Sequence, residues 1–385
     1  MLHLALVCDF LEERWPSMDL VGDMLFDQFS TRLMDQVNVD RIRPALRARL
    51  STLPGMRSSK FAWNADRLLN RMADYPRLLG RRLSNYDLYH IVDHSYAQLV
   101  HEVPPERTIV SCHDLDTFRC LTQPEIEPRP KWFRAIARRV LDGFQRAAHV
   151  ICDSEAVRNS ALKSGLLNGD RVTVIHNGIH PSCSSGPDTI ADAAANRLLG
   201  VPPEALLLLN VGSTIPRKRI DLLLKIFAAV REQVPAARLV RVGGPFTKAQ
   251  LRLASQLRIA DDILELPFLS REVLAAVYRR STLLLQTSEA EGFGLPLVEA
   301  MACGCQVVAS DIPVLREIGG DAATFCPVGE VVQWAETVAR LLHEKSVGAD
   351  AWSLRNLASG RNARRFNWEQ TANQTLDLYK RISSH

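Results

Sequence analysis

The sequence predicts an α/β protein made of two doubly wound, parallel-sheet domains facing each other across a cleft. Three observations lead there. Short apolar runs of strand length alternate with longer helical patterns along the whole chain, the signature of parallel sheets joined by helical crossovers. The runs fall into two sets, separated by a stretch from His176 to Glu204 that is rich in Gly, Pro, Ser and Ala. The 385 residues give room for two domains of ordinary size.

The first set of strands is Leu2–Cys8, Leu88–Val92, Thr108–Cys112, His149–Cys152 and Val172–Ile175. The second is Leu206–Val211, Arg238–Val242, Ile263–Leu266, Leu283–Gln286, Gln306–Ala309 and Ala323–Cys326. The interdomain linker is placed in 176–204, with the domains expected at 1–185 and 186–365. The tail carries Trp368, Ala372, Leu376 and Tyr379 at helical spacing. It reads as an amphipathic helix, 366–385, that returns to the first domain.

Composition narrows the field. Hydrophobic residues make up 46% and charged residues 23%, as in ordinary globular proteins. The net charge of +4 is too small to argue for nucleic acid, but it is uneven. Residues 41–82 hold eleven Arg or Lys and two Asp, a local charge of +9 that leaves about −5 for the rest. The eight cysteines include no C-x-x-C pair and are expected to be buried free thiols in a reducing compartment. Met1–Asp9 reads as a strand, not a signal peptide, and no apolar run approaches 18 residues. A cytoplasmic protein is expected, with peripheral contact at the inner face of the membrane as an option.

Two constellations carry chemistry. The first is Glu291-Gly292-Phe293-Gly294-Leu295-Pro296-Leu297-Val298-Glu299, separated by four residues from the apolar run 282–286. It reads as strand, Gly-bearing loop and a helix Leu297–Cys303, with Pro296 suited to the first helical position. Free N–H groups at a helix start attract anions, and carboxylates beside them accept hydrogen bonds from sugar hydroxyls. Such a site suits a sugar esterified to a diphosphate. The second is Gly212-Ser213-Thr214-Ile215-Pro216-Arg217-Lys218-Arg219, a βα loop whose three cations would neutralise a diphosphate. A solvated basic turn is the alternative for that loop taken alone.

On these residues the chain resembles glycosyltransferase family 4, the retaining enzymes of GT-B fold with two Rossmann-like domains. Glu291 and Glu299 match the family's Glu, seven residues, Glu signature within E-G-F-G-L-P-x-x-E-A-M-A-x-G. Lys218 matches its phosphate lysine, and Arg217 stands where a subset of the family has an adjacent arginine. Ser213 departs from the arginine often found after the loop glycine. The resemblance implies that Glu291 contacts the donor sugar and Glu299 the nucleotide ribose. It implies that the backbone of Gly292, Phe293, Gly294 and Leu295 faces sugar and phosphates, and that Pro267 and Phe268 border the base. In the first half it implies that Gly22 belongs to a glycine loop approaching the donor phosphate and that His113 lies near the donor sugar. A strand-end histidine bonded to backbone is the other reading of His113, and the favoured one of His94. Ser154 reads as a helix N-cap.

The expected activity is that of a retaining hexosyltransferase: a nucleotide-diphosphate sugar donates to a saccharide or lipid-linked acceptor in polysaccharide or glycoconjugate assembly. Neither cofactor nor metal is expected, and GDP and UDP are left open. Another GT-B enzyme, an epimerase or a phosphorylase, and a non-catalytic sugar-nucleotide-binding partner are the competing readings. The basic stretch 41–82, interleaved with Phe61 and Trp63, suits an anionic membrane surface or an acidic lipid-linked acceptor, or else is a solvated helix face.

Overall fold

The structure is a computed structural model that describes residues 1–57, 59–81 and 86–383. The chain divides into two compact units, Met1–Gly178 with Trp368–His385, and Ile179–Asn367.

The first unit is a six-stranded parallel sheet in the order β2-β1-β3-β4-β5-β6, formed by β1 (Leu2–Val7), β2 (Val37–Ile42), β3 (Leu88–Ile91), β4 (Thr108–Cys112), β5 (His149–Cys152) and β6 (Val172–Val174). Five of these lie where the apolar runs predict them. β2 does not stand out in the sequence because Asn38, Asp40 and Arg41 interrupt its apolar pattern. It is an edge strand, held by in-register pairing from Leu2↔Val37 to Val7↔Ile42, and an edge tolerates polar faces that a central strand does not.

The second unit is also six-stranded and parallel, in the order β12-β11-β10-β7-β8-β9. Its strands are β7 (Leu207–Gly212), β8 (Arg238–Gly243), β9 (Ile263–Leu266), β10 (Leu283–Gln286), β11 (Gln306–Ser310) and β12 (Thr324–Cys326). All six were legible as apolar runs, most plainly the central β10 and β11, which are buried along their whole length. Its core includes Leu208, Leu223, Phe227, Leu285, Val308 and Trp334.

The chain passes between units at Gly178–Ile179, inside the expected linker but seven residues before the expected boundary, and later in the same stretch Thr189–Leu199 is a helix. Asp188 caps it by accepting from the Ala191 N–H at 3.0 Å, and Ala191, Ala195 and Leu199 are buried. The four-residue spacing of these apolar residues is a helical signal inside a stretch whose composition reads as linker.

The tail helix runs Trp368–Ser383 and belongs to the first unit. Trp368, Ala372, Leu376 and Tyr379 are its buried face. The Tyr379 hydroxyl lies 2.6 Å from Nδ1 of buried His90, whose Nε2 is 2.8 Å from the Ser111 hydroxyl. Burial drives His90 down to about 3, so the ring is neutral and bridges the helix to β3 and β4. Thr371 Oγ1 donates to the His176 carbonyl at 2.8 Å, and Arg32 donates to both oxygens of Glu369 at 2.8 and 2.5 Å.

Candidate functional site

In the second unit the strand order, renumbered from β7, is the 3-2-1-4-5-6 of a dinucleotide-type sheet. Its order reverses between β7 and β10, which pair through Leu283↔Leu208 and Leu284↔Leu209. Crossovers leave these two strands toward opposite sides, which opens a crevice beyond their carboxyl ends. The loop after β7 carries Arg217 and Lys218; the loop after β10 carries Glu291. The reversal of strand order therefore brings together residues 73 apart in sequence.

The two loops are stitched by backbone. The Glu289 N–H donates to the Arg217 carbonyl at 2.9 Å, and Thr287 Oγ1 donates to the Lys218 carbonyl at 3.1 Å. Pro216–Lys218 forms a single 3-10 turn, and Arg219 closes it in the left-handed region at φ +48° before helix Ile220–Gln233 begins. Arg219 is held there by Asp221 at 3.1 Å and Glu289 at 3.3 Å.

Glu291 is the centre of the arrangement. Lys218 Nζ donates to both of its oxygens at 2.6 and 2.7 Å, Ser288 Oγ to Oε1 at 2.7 Å and Gln286 Nε2 to Oε1 at 2.9 Å. Arg217 Nη1 lies 3.6 Å from Oε2 and donates to the Ala290 carbonyl at 3.1 Å. Only 6% of the Glu291 side chain and 17% of Lys218 is exposed. Burial pushes the Glu291 pKa up, but Lys218 and then Arg217 outweigh it and hold the carboxylate below its ordinary range. Two cations thus share one carboxylate.

The helix after Glu291 runs Leu295–Ala302, two residues earlier than predicted, so Pro296 takes its second position. Gly294 enters it at φ +91°; a Cβ there would meet Leu315 Cδ2 at 2.7 Å. Phe293 is buried edge-on against Phe366, ring centroids 5.5 Å apart. Glu299, in the second helical turn, is 8% exposed and accepts from the Tyr278 hydroxyl at 2.9 Å. Burial raises its pKa against the pull of Tyr278 and Arg271. Sequence reading missed Tyr278; a tyrosine among the small apolar residues of helix Arg271–Arg280 needs a polar partner, and Glu299 is that partner. Pro267 and Phe268 follow β9 as exposed residues, Phe268 at 58%.

The first unit departs from expectation at two residues. Gly22 is not in a loop. It lies inside helix Pro16–Thr31, whose buried face is Leu20, Val21, Met24, Leu25 and Phe29. Its backbone is spent on the helix, and a Cβ there would sit 3.0 Å from both Arg43 Nη2 and Cys8 Sγ. It is a close-packing glycine, not a phosphate-loop glycine. His113 is buried with both ring nitrogens engaged: Nε2 is 2.7 Å from the Val92 carbonyl and Nδ1 is 3.1 Å from Asp153 Oδ2. Burial disfavours its charge, but Asp153 and Asp93 raise it to about 9. Burial leaves Asp153 above its ordinary range even so; at the histidine two carboxylates act together and the imidazolium wins. No ring nitrogen is left for a sugar. His94 is buried too, Nε2 3.2 Å from Thr117 Oγ1. Ser154 does cap its helix, accepting from the Val157 N–H at 3.2 Å.

The β1–β3 pairing ends Val7↔Ile91, so two residues on Asp9 and Asp93 stand side by side where this sheet reverses its order. Asp9 is 2% exposed and neither of its oxygens has a hydrogen-bond partner among the described residues. Burial, with Asp93 beside it, pushes Asp9 well above the carboxylate range, so the pair carries one negative charge. Both residues were missed. The available signal was their place, one or two residues past a strand, where ligands approach such sheets.

Much of the basic stretch 41–82 is neutralised within the unit. Arg41 and Arg43 pair with Asp23, Arg49 with Asp74, and Arg67 and Arg71 with Glu13. Arg82 lies outside the described residues. Seven of the eight cysteines are buried and all are free. Among the described residues no helix is long and apolar enough to cross a membrane.

Two family matches cover most of the chain: Glycosyl transferases group 1 over residues 195–357 and Glycosyltransferase Family 4 over residues 37–182. The chain belongs to the group 1, family 4 glycosyltransferases. Among curated glycosyltransferases it is similar to the D-inositol 3-phosphate glycosyltransferase of Mycobacteroides abscessus, 32% identical over 228 residues, 55% of this chain and 49% of that one. The enzyme of the same description from Mycolicibacterium smegmatis is 29% identical over 265 residues, 67% of this chain and 57% of that one. The chain thus spans about half the length of the curated relatives it matches. Among solved structures, sucrose-phosphate synthase from Thermosynechococcus elongatus superposes with TM-score 0.74 at 19% identity, covering 100% of both chains. Anabaena HepE, solved with UDP and glucose, gives 0.72 at 16%, covering 99% of this chain and 100% of that one. At these identities the likeness is one of fold, and the glycosyltransferase fold it shows is GT-B.

Proposed function

We propose that this glycosyltransferase moves a hexosyl group from a nucleotide-diphosphate sugar to a saccharide or lipid-linked acceptor, with retention at the anomeric carbon. The Lys218–Glu291 pair at the β7/β10 switch point carries the reading. Lys218 and Arg217 take the diphosphate and Glu291 the sugar hydroxyls. Glu299, oriented by Tyr278, takes the ribose, and Pro267 and Phe268 border the base. The positive end of helix Leu295–Ala302 supports the same anion. The bond from anomeric carbon to phosphate oxygen breaks as the acceptor oxygen attacks the same face, and the acceptor proton passes to the leaving phosphate. Charge grows on that phosphate in the transition state, and preorganised cations stabilise it most there. Arg217 and Lys218 are the cations placed to do this. The UDP in the HepE structures supports a nucleotide donor.

A thermal-shift panel of UDP, GDP, ADP and TDP with their sugar conjugates tests the donor site. A ligand at 100 times its Kd adds about 2.7 kcal/mol of stability. One nucleotide family should raise the melting temperature and the rest should not. No shift with any of them would remove the donor assignment.

A further inference from the structure

A cavity of about 670 Å³ opens in the first unit, lined almost entirely from the basic stretch 41–82 and by none of the residues of the Lys218–Glu291 site. Small-molecule pockets occupy roughly 300–1,000 Å³. Its walls are the loop Pro44–Arg47 after β2, the turn Asn70–Asp74 and helix Tyr75–Gly80, with Phe10 at the base. The floor is apolar. Phe10 and Tyr75 are buried with ring centroids 5.3 Å apart, and Leu46 and Leu78 pack on the same core. The Tyr75 hydroxyl is already satisfied, 2.8 and 2.7 Å from the carbonyls of Cys8 and Ile42.

The rim is cationic. Arg47, Arg77 and Arg81 are exposed and make no ion pair among the described residues. The acid in the wall, Asp74, is occupied by Arg49, which donates to both of its oxygens at 2.7 and 2.9 Å. Half of the described cations of the basic stretch are paired off, and three of those that are not, Arg47, Arg77 and Arg81, border this cavity.

Two features mark a built site. Buried Asn70 clamps the rim loop: its amide oxygen accepts from the Arg47 N–H at 2.8 Å and its amide donates to the Arg47 carbonyl at 2.9 Å. And Asn70–Asp74 is a turn of π-helix set between α-helices Lys60–Leu69 and Tyr75–Gly80. Such insertions give up ideal backbone geometry and concentrate at functional sites.

An apolar floor under unpaired guanidinium groups suits an anionic amphiphile, such as a hydrocarbon chain carrying phosphate. We propose that this cavity binds an anionic amphiphile, its acyl or prenyl chain on Phe10, Leu46 and Leu78 and its phosphate at Arg77 and Arg81. Taken as the acceptor side of the transfer, this rests on the function proposed above and names the acceptor class as a lipid phosphate. The preceding segment leaves Leu53, Phe61 and Leu69 exposed, so the amphiphile could come from a bilayer as well as from solution.

Calorimetric titration of the full chain tests it with geranyl phosphate, geraniol and inorganic phosphate. Geranyl phosphate should bind saturably at one per chain, and the other two at least about tenfold more weakly, since each fills half the site. The exposed double variant R77Q/R81Q should melt like the wild type yet bind geranyl phosphate at least about tenfold more weakly. Phosphatidylglycerol vesicles separate the sources. Pelleting of wild type but not of the double variant, relieved by geranyl phosphate, means a lipid drawn from the bilayer; geranyl phosphate binding without pelleting means a free amphiphile. Equal affinity of both proteins for geranyl phosphate, equal affinity for geraniol, or pelleting that geranyl phosphate does not relieve overturns the proposal. UDP and GDP shifts on the same samples report the donor site alone. Their absence beside intact geranyl phosphate binding would sink the donor reading and leave the cavity standing.

Discussion

Lys218 helps hold Glu291 ionised. The lysine bridges both carboxylate oxygens, and the nucleotide phosphate would have to share it. Glu291→Gln should therefore leave nucleotide affinity unchanged or tighter, because the cations lose their internal counterion. It should lower kcat/KM at least about tenfold, roughly 1.4 kcal/mol, through lost contact with the sugar. Kinetics beside nucleotide titration check this; parallel losses in both would reduce Glu291 to a loop support. His113 makes a pH prediction. Its folded pKa of about 9 exceeds the unfolded value, so its stabilisation is complete below pH of about 6.5 and is lost as pH rises through 9. The swing is on the order of 3 kcal/mol, and His113→Gln should abolish it. Urea unfolding at neutral and alkaline pH measures both proteins.

At the scale of elements, the turn from β10 into helix Leu295–Ala302 depends on one glycine. Gly294 needs φ +91° and has no room for a Cβ beside Leu315. Gly294→Ala should cost on the order of 2 kcal/mol in stability and weaken nucleotide binding, since the helix start must shift. Denaturation and titration check it; a neutral result would mean the loop has slack that its packing does not suggest. Continuous apolar runs made eleven strands legible. The twelfth, β2, was hidden because an edge strand need not be apolar. Helix Thr189–Leu199 was hidden because alanine serves both linkers and tight helix packing. Gly22 was misplaced because a glycine after a first strand suggests a loop, while Pro16 and the apolar spacing around it specify a helix.

For the whole molecule, the chain begins and ends in the first unit. Removing Trp368–His385 takes Trp368, Leu376 and Tyr379 off that core, each worth about 1.5–3 kcal/mol when buried, and strips neutral His90 of its hydroxyl partner. Truncation after Asn367 should abolish cooperative melting of the first unit, which calorimetry would record as loss of part of the unfolding heat. A full-length melting profile from the shortened chain would show that the tail is dispensable. The sequence alone determined the alternation of strands and helices, the Glu-x7-Glu run and the amphipathic tail. Those are local patterns, set by residues within a turn or a strand of one another. Tertiary structure alone decided that Lys218 meets Glu291 across 73 residues, that Asp9 stands beside Asp93, that His113 is spent on Asp153, and that unpaired arginines ring a cavity. These depend on strand order and register, which bring distant loops to one edge of a sheet and which no local pattern encodes.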